Sequence, residues 1–236
     1  MSYINNNSRF FRSTMAPSIP DTSPNQTPQV HRDGSVVSHT DDYKIVLILD
    51  ESGSMGSIRQ DMIRAINDLI GEQRTINRPC RFTLVKFNDH IQRVIANRNL
   101  KEVPLLDNNS YTPNGSTALY DAIGDTIDWF RYEENVLLVI VTDGYENASQ
   151  VYRHKEIKDA LEEKNRNRGW TYVYLANDLS VAQQGNNLGC QRSAFSSNCQ
   201  VNIESYGDFV LNDLNSAIKR SRLDGTSVQS VLNRKY

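Results

Sequence analysis

The sequence predicts a doubly wound α/β fold: a mostly parallel central sheet with one antiparallel edge strand and helices on both faces. Three observations carry this expectation. The runs "YKIVLIL" (Tyr43–Leu49), "NVLLVIVTD" (Asn135–Asp143) and "WTYVYLA" (Trp170–Ala176) are apolar on both alternating faces, as strands covered on both sides must be. The segments between the runs place apolar residues at helical spacing. One further pair of runs, Arg81–Phe87 and Ile91–Ala96, is separated by only three residues, which makes a hairpin and hence an antiparallel edge strand.

Each element follows in order. After the first strand, "SIRQDMIRAINDLIGEQR" sets Ile58, Met62, Ala65, Ile66, Leu69 and Ile70 on one helical stripe. The hairpin follows, then a polar loop, "DNNSYTPNGS". Next comes a helix over Thr117–Phe130, with Leu119, Ala122, Ile123, Ile127 and Phe130 facing inward. The second buried strand leads to a charged surface helix, "RHKEIKDALEEKNR", and the third to a short helix, "LSVAQQGNNLG", ending at Gly185 or Gly189. A last strand is expected at "QVNI" (200–203), followed by a helix over Tyr206–Arg222. This alternation of strand and helix is the pattern of a layered α/β domain.

The chain has 236 residues, room for one good-sized domain and its tails. Residues 1–40 are rich in Asn, Ser, Thr and Pro. Too poor in aliphatic side chains to offset the entropy of ordering, they read as a disordered arm in which Phe10 and Phe11 are a candidate binding motif. The domain is expected over 41–222 and a C-terminal tail over 223–236. A net charge of −2 with 23% charged residues makes no electrostatic case for nucleic acid or an anionic membrane. No apolar run reaches the ~18 residues of a membrane span, and residues 1–20 carry no secretory core segment. Cys80, Cys190 and Cys199 lack metal-type spacing and read as reduced thiols, so a cytoplasmic location is expected. The sequons at Asn114 and Asn147 lie in candidate site loops, where a glycan would obstruct, and lean the same way.

The candidate site begins with "LILDESGSMG". Ligands of open parallel sheets bind beyond the carboxyl ends of the strands, and two strands end there in aspartates, Asp50 and Asp143. Two carboxylates brought together need a proton or a cation between them. Ser52 and Ser54 sit beside them, and "NGSTALYDAI" offers Ser116 and Thr117 at a helix start. Such an all-oxygen set suits a hard cation such as Mg²⁺, not zinc, and leaves coordination positions unfilled. Other readings compete. A phosphate-cradling loop lacks its glycine pattern, and a nucleophile elbow has Ser52 where its first glycine belongs. An aspartyl nucleophile of the haloacid dehalogenase type would need Asp where Ser52 stands. Ser52 and Ser54 also read simply as helix caps, with Asp50 closing a turn.

Asp50-Glu51-Ser52-Gly53-Ser54 after an apolar strand, Thr117 in its loop and Asp143 after a second strand together resemble the von Willebrand factor type A family. They match its metal-ion-dependent adhesion site over roughly Asp41 to Arg222. The resemblance implies that Ser52 and Ser54 ligate the ion directly, and Thr117 directly or through water. Asp50 and Asp143 would act largely through waters. It further implies a coordination position left open to a partner's Asp or Glu. Mg²⁺ is the expected ion, with Mn²⁺ or Ca²⁺ as substitutes. The expected function is therefore a non-enzymatic, metal-dependent protein-binding module used in complex assembly. The alternative is a Mg²⁺-dependent phosphoryl-transfer enzyme with Asp50 as nucleophile, and a third is a scaffold whose ion is purely structural.

Several other residues receive smaller expectations. Asp121 reads as an outer acceptor or a helix-packing residue, Glu146 and Asn147 as rim or turn residues, and Asp178 as a helix cap. Glu51 has no assigned role. His31, His39, His90 and His154 form no cluster. Trp170 and its neighbouring tyrosines read as core, and the basic C-terminal end as a solvated tail.

Overall fold

A computed structural model describes residues 42–176, 179–189, 193–194 and 203–233. The expected N-terminal arm, Asp178, Cys190 and Cys199 lie outside the described residues. Six strands form one sheet in the order β3-β2-β1-β4-β5-β6. They are β1 (Tyr43–Asp50), β2 (Cys80–Phe87), β3 (Ile91–Asn99), β4 (Val136–Thr142), β5 (Thr171–Ala176) and β6 (Ser193–Ala194). All neighbouring pairs are parallel except β2–β3, the expected hairpin, in which Phe87 faces Ile91. The helices are α1 (Arg59–Arg74), α2 (Leu119–Trp129), α3 (His154–Arg168), α4 (Leu179–Asn187), α5 (Ile203–Asp224) and α6 (Val228–Asn233). None of the described helices is long and apolar enough to cross a membrane.

Alternation along β1 divides the core. Ile45, Leu47 and Leu49 face Met62, Ile66, Leu69 and Ile70 of α1 and Leu214 and Ile218 of α5. Val46 and Ile48 face Leu119, Ile123 and Ile127 of α2 and Ile157 and Leu161 of α3. Every residue of β4 is buried, which explains its unbroken apolar run. At about 1.5–3 kcal/mol for each aliphatic side chain removed from water, these two strands are the chief stabilising unit.

Four details depart from the sequence reading. The sixth strand is Ser193–Ala194, paired with Tyr174 and Leu175; of the strand expected at 200–203, residues 200–202 lie outside the described residues and Ile203 opens α5. Between β1 and α1, Gly53–Ile58 forms a 3₁₀ turn before the α-helix starts at Arg59. α2 begins at Leu119, two residues past Thr117, because Asn147 and Ala148 N–H donate to the Thr117 carbonyl. Beyond Arg222, α6 seats Val228 and Val231 in the core against α5, an i,i+3 apolar pair within the expected tail.

The antiparallel edge is irregular. The β2–β3 register shifts around Leu84, Asn97 adopts a positive φ of 44°, and its N–H is taken by Thr83 Oγ1 at 2.9 Å.

Candidate metal centre

β1 is the point at which the sheet order reverses. The chain passes from β1 to β2 on one side, while β4 lies on the other, so the crevice beyond their carboxyl ends is open. Leu49 pairs with Val141, which brings the segments after Asp50 and Thr142 to the same edge. The expected convergence of Asp50 and Asp143 is therefore built from adjacent strands.

Asp50 is 0% exposed. Its Oδ1 accepts the Ser52 N–H at 2.6 Å, closing a tight turn, and its Oδ2 accepts the Thr142 hydroxyl at 2.6 Å. Burial pushes its carboxyl up to about 6, against the lowering effect of the Thr142 and Ser52 hydrogen bonds; the Asp143 charge adds to the rise. Ser52 Oγ lies 3.2 Å from Ser54 Oγ, and Ser54 Oγ donates to Asp143 Oδ1 at 2.5 Å. Burial also raises the Asp143 carboxyl. Thr117 is buried, with its N–H donated to Asn147 Oδ1 at 2.9 Å. A β-carbon built on Gly144 would lie 3.0 Å from Thr117 Oγ1 and 3.7 Å from Ser54 Oγ. Both hydroxyls thus lie beside one glycine, and a side chain there would press on the Thr117 hydroxyl.

Ser52 precedes the 3₁₀ turn but makes no side-chain cap, which removes the capping role from its hydroxyl. Asp50, Ser52, Ser54, Thr117 and Asp143 come together as a set, whereas Ser116 goes elsewhere, its N–H donating to Asp89 at 3.1 Å.

Two carboxylates with raised affinity for protons, three neighbouring hydroxyls and no ion pair to either acid among the described residues form a site short of positive charge. The donors are all oxygen, two carboxylates and three hydroxyls, and among the described residues no three His, Cys, Asp or Glu gather as a metal cluster. The set therefore fits a hard divalent cation and not a soft one.

Residues unread in the sequence hold this set in place. Glu51 is buried, and its Oε1 accepts Lys86 Nζ at 2.8 Å and the Thr112 N–H at 2.6 Å. Its carbonyl accepts the Asn114 N–H at 2.8 Å, so the β1 loop is stitched to the loop that carries Thr117. Tyr111, wholly buried, donates its hydroxyl to the Asp50 carbonyl at 2.7 Å, while Arg59 Nε binds the Tyr111 carbonyl at 2.8 Å. Glu146 accepts three backbone N–H groups, from Tyr120, Ala148 and Ser149, and Gln184 of α4 accepts the Glu146 N–H at 2.9 Å. Asp121 is a packing residue, as one of its two expected roles had it. Its carboxylate receives the N–H groups of Gln150, Val151 and Tyr152, clamping α2 to the loop before α3. The signal for Glu51 was Lys86, a lysine inside an apolar strand that needs a buried partner.

Comparison with known proteins follows this geometry. The von Willebrand factor type A domain model matches residues 44–217. Comparison with curated proteins gives no match. Among solved structures, the chain is similar to a mutant of the PilB minor pilin from Streptococcus sanguinis at 12% identity and a TM-score of 0.56. That match covers 76% of this chain and 62% of the pilin chain. It is similar to the vWF domain of the type V pili tip protein Mfa5 from Porphyromonas gingivalis, at 11% identity and TM-score 0.55, over 80% of this chain and 99% of that one. Proximal thread matrix protein 1 from the mussel byssus is similar at 16% identity and TM-score 0.51, over 74% of this chain and 45% of that one. The chain thus spans less than half the length of the mussel protein, and likeness at these identities speaks for the fold.

Proposed function

The chain belongs to the von Willebrand factor type A domain family, and on that premise we propose that it is a Mg²⁺-dependent protein-binding module whose ion accepts a carboxylate from a partner. Ser52, Ser54 and Thr117 would hold the ion by their hydroxyls, with Asp50 and Asp143 balancing its charge. The bound ion supplies a Lewis-acidic position for an acidic side chain. The single observation that carries this reading is the pair of ion-pair-free carboxylates, Asp50 buried and Asp143 half-buried, beside three neighbouring hydroxyls at the sheet's switch point. Because the hydroxyl donors are neutral, the ion would keep positive charge for the partner. Mn²⁺ and Ca²⁺ are the natural substitutes, and complex assembly is the proposed role.

The phosphoryl-transfer alternative is disfavoured. A nucleophile must reach its target, but Asp50 is 0% exposed and both of its oxygens are already engaged. The first lysine after Asp50 in the sequence, Lys86, is held by Glu51. We read the module as cytoplasmic. Supporting this, the two sequon asparagines Asn114 and Asn147 use their side chains inside the site loops.

Titration calorimetry with Mg²⁺ tests the site: wild type should bind, while Ser52→Ala and Asp143→Ala should lose binding with unchanged circular dichroism. Undiminished Mg²⁺ affinity in both variants would overturn it. Capture from native lysate with and without a chelator then tests the partner. Proteins retained equally with the chelator would leave the ion a structural role.

A further inference from the structure

At the end of the sheet opposite the candidate metal centre, a cavity of about 190 Å³ opens between the α1 C-terminus, the start of β2, the end of β3 and α5. Arg74, Arg78, Lys101 and Arg222 are among its lining residues, and among the described residues no Asp or Glu lines it. The nearby acid Asp42 is already paired with Arg81 at 2.8 Å.

The four cations are not equivalent. Arg74 caps carbonyls, donating to Leu100 and Val103. Arg222 is 3% exposed. It donates Nη1 to the Gln73 carbonyl and Oε1, at 2.6 and 3.0 Å, and Nη2 to the Arg78 carbonyl at 2.7 Å. All of these acceptors are neutral, and among the described residues no carboxylate lies within ion-pair distance of it. Its Nε, also buried, has no hydrogen-bond partner. A buried guanidinium with neither a counter-charge nor a full set of acceptors is costly. Arg78 and Lys101 stand exposed at the cavity mouth, in no ion pair among the described residues.

We propose that this cavity is an anion site for a phosphate group, free or carried as a small phosphomonoester. Guanidinium groups match phosphate oxygens geometrically, and the Lys101 ammonium adds a mobile point charge. The volume suits a phosphate with a few waters, against the roughly 30 Å³ of a single water. It lies below the ~300 Å³ at which pockets for larger ligands begin. The bound anion would supply the missing counter-charge for Arg222 and tie α5 to the α1–β2 turn.

The test uses the full chain in excess chelator, so that phosphate cannot act through a metal at Asp50 or Asp143 and the outcome is independent of that site. Calorimetry and thermal unfolding are run with inorganic phosphate and with glycerol phosphate, each against chloride at matched ionic strength. Saturable binding and a melting temperature that rises with phosphate are expected; whichever of the two probes binds tighter identifies the source. The double variant Arg78→Ala, Lys101→Ala, both at exposed positions, should weaken binding at least tenfold while melting normally in chloride. No phosphate effect beyond chloride, or full affinity in the double variant, overturns the proposal.

Discussion

The Thr142 hydroxyl donates to Asp50 Oδ2 at 2.6 Å, joining the last residue of β4 to the last residue of β1 across the sheet's switch point. Thr142 also receives the Gly144 N–H at 3.1 Å, so one side chain sets both the carboxylate and the glycine that lies against the Thr117 hydroxyl. Replacing it by the near-isosteric Val should leave a buried carboxylate oxygen without its donor, at about 1–3 kcal/mol in stability. Mg²⁺ affinity should fall by about 10–100-fold, the usual cost of losing a residue that orients a ligand. Thr142→Ser should retain both. Denaturant unfolding and calorimetry on the pair of variants check the expectation.

Metal affinity should depend on pH through Asp50. Its carboxyl is raised from the ordinary 3.8 to about 6 without metal, so below pH 6 a cation must displace a proton. Affinity should therefore be flat above pH 7 and fall about tenfold per unit below 6. Metal-free stability should run the other way. The folded state holds this proton more tightly than the unfolded chain, so stability declines as pH climbs from about 4 to 6. Saturating Mg²⁺ should abolish that decline. Melting curves at several pH values, with and without the ion, separate the two effects.

The Glu51–Lys86 pair is a buried pair with both side chains under one-tenth exposed. Removing one partner strands a charge, so Lys86→Met should destabilise by about 3–5 kcal/mol. Glu51→Gln should cost less than Lys86→Met in the loop, because an amide oxygen can still accept the Thr112 N–H. Combining both changes should recover part of the Lys86→Met loss. A double-mutant cycle by denaturant unfolding measures the coupling. Mg²⁺ affinity should follow the loop and not the charge, falling with any change that frees Thr112 and Asn114.

Cys80 is buried at the start of β2, and burial pushes its thiol up to about 12. The folded state therefore keeps the thiol proton after the unfolded chain has released it near pH 9. Stability should fall by up to about 1.4 kcal/mol per unit above that point. Cys80→Ala should show a shallower decline between pH 9 and 11, and the native thiol should resist alkylation at pH 8 until denaturant is added.

Much of the architecture was legible because burial on both faces writes itself into composition. The Val, Ile and Leu runs of β1 and β4 have no other explanation, and the aspartates ending them marked the functional edge. The three-residue gap before Ile91 announced the hairpin. What escaped was set by contacts distant in sequence. Thr142 reads as one more strand residue until β1 lies beside it. Glu51 points to no role until Lys86 arrives from β2. Thr117 was expected inside a helix, yet its carbonyl is claimed by Asn147 and Ala148 from another loop. The strand Ser193–Ala194 is too short to carry any periodicity.

The bulged β3 strand also has a consequence for how this chain behaves in company. An outermost strand with free backbone groups is an invitation for another chain to add itself and start a fibre. Here the ladder is irregular around Leu84, Asn97 adopts a positive φ, and the exposed Arg98 places positive charge along the same margin. A border so bent and charged is a poor template for an added strand, so association of copies through this margin should be weak.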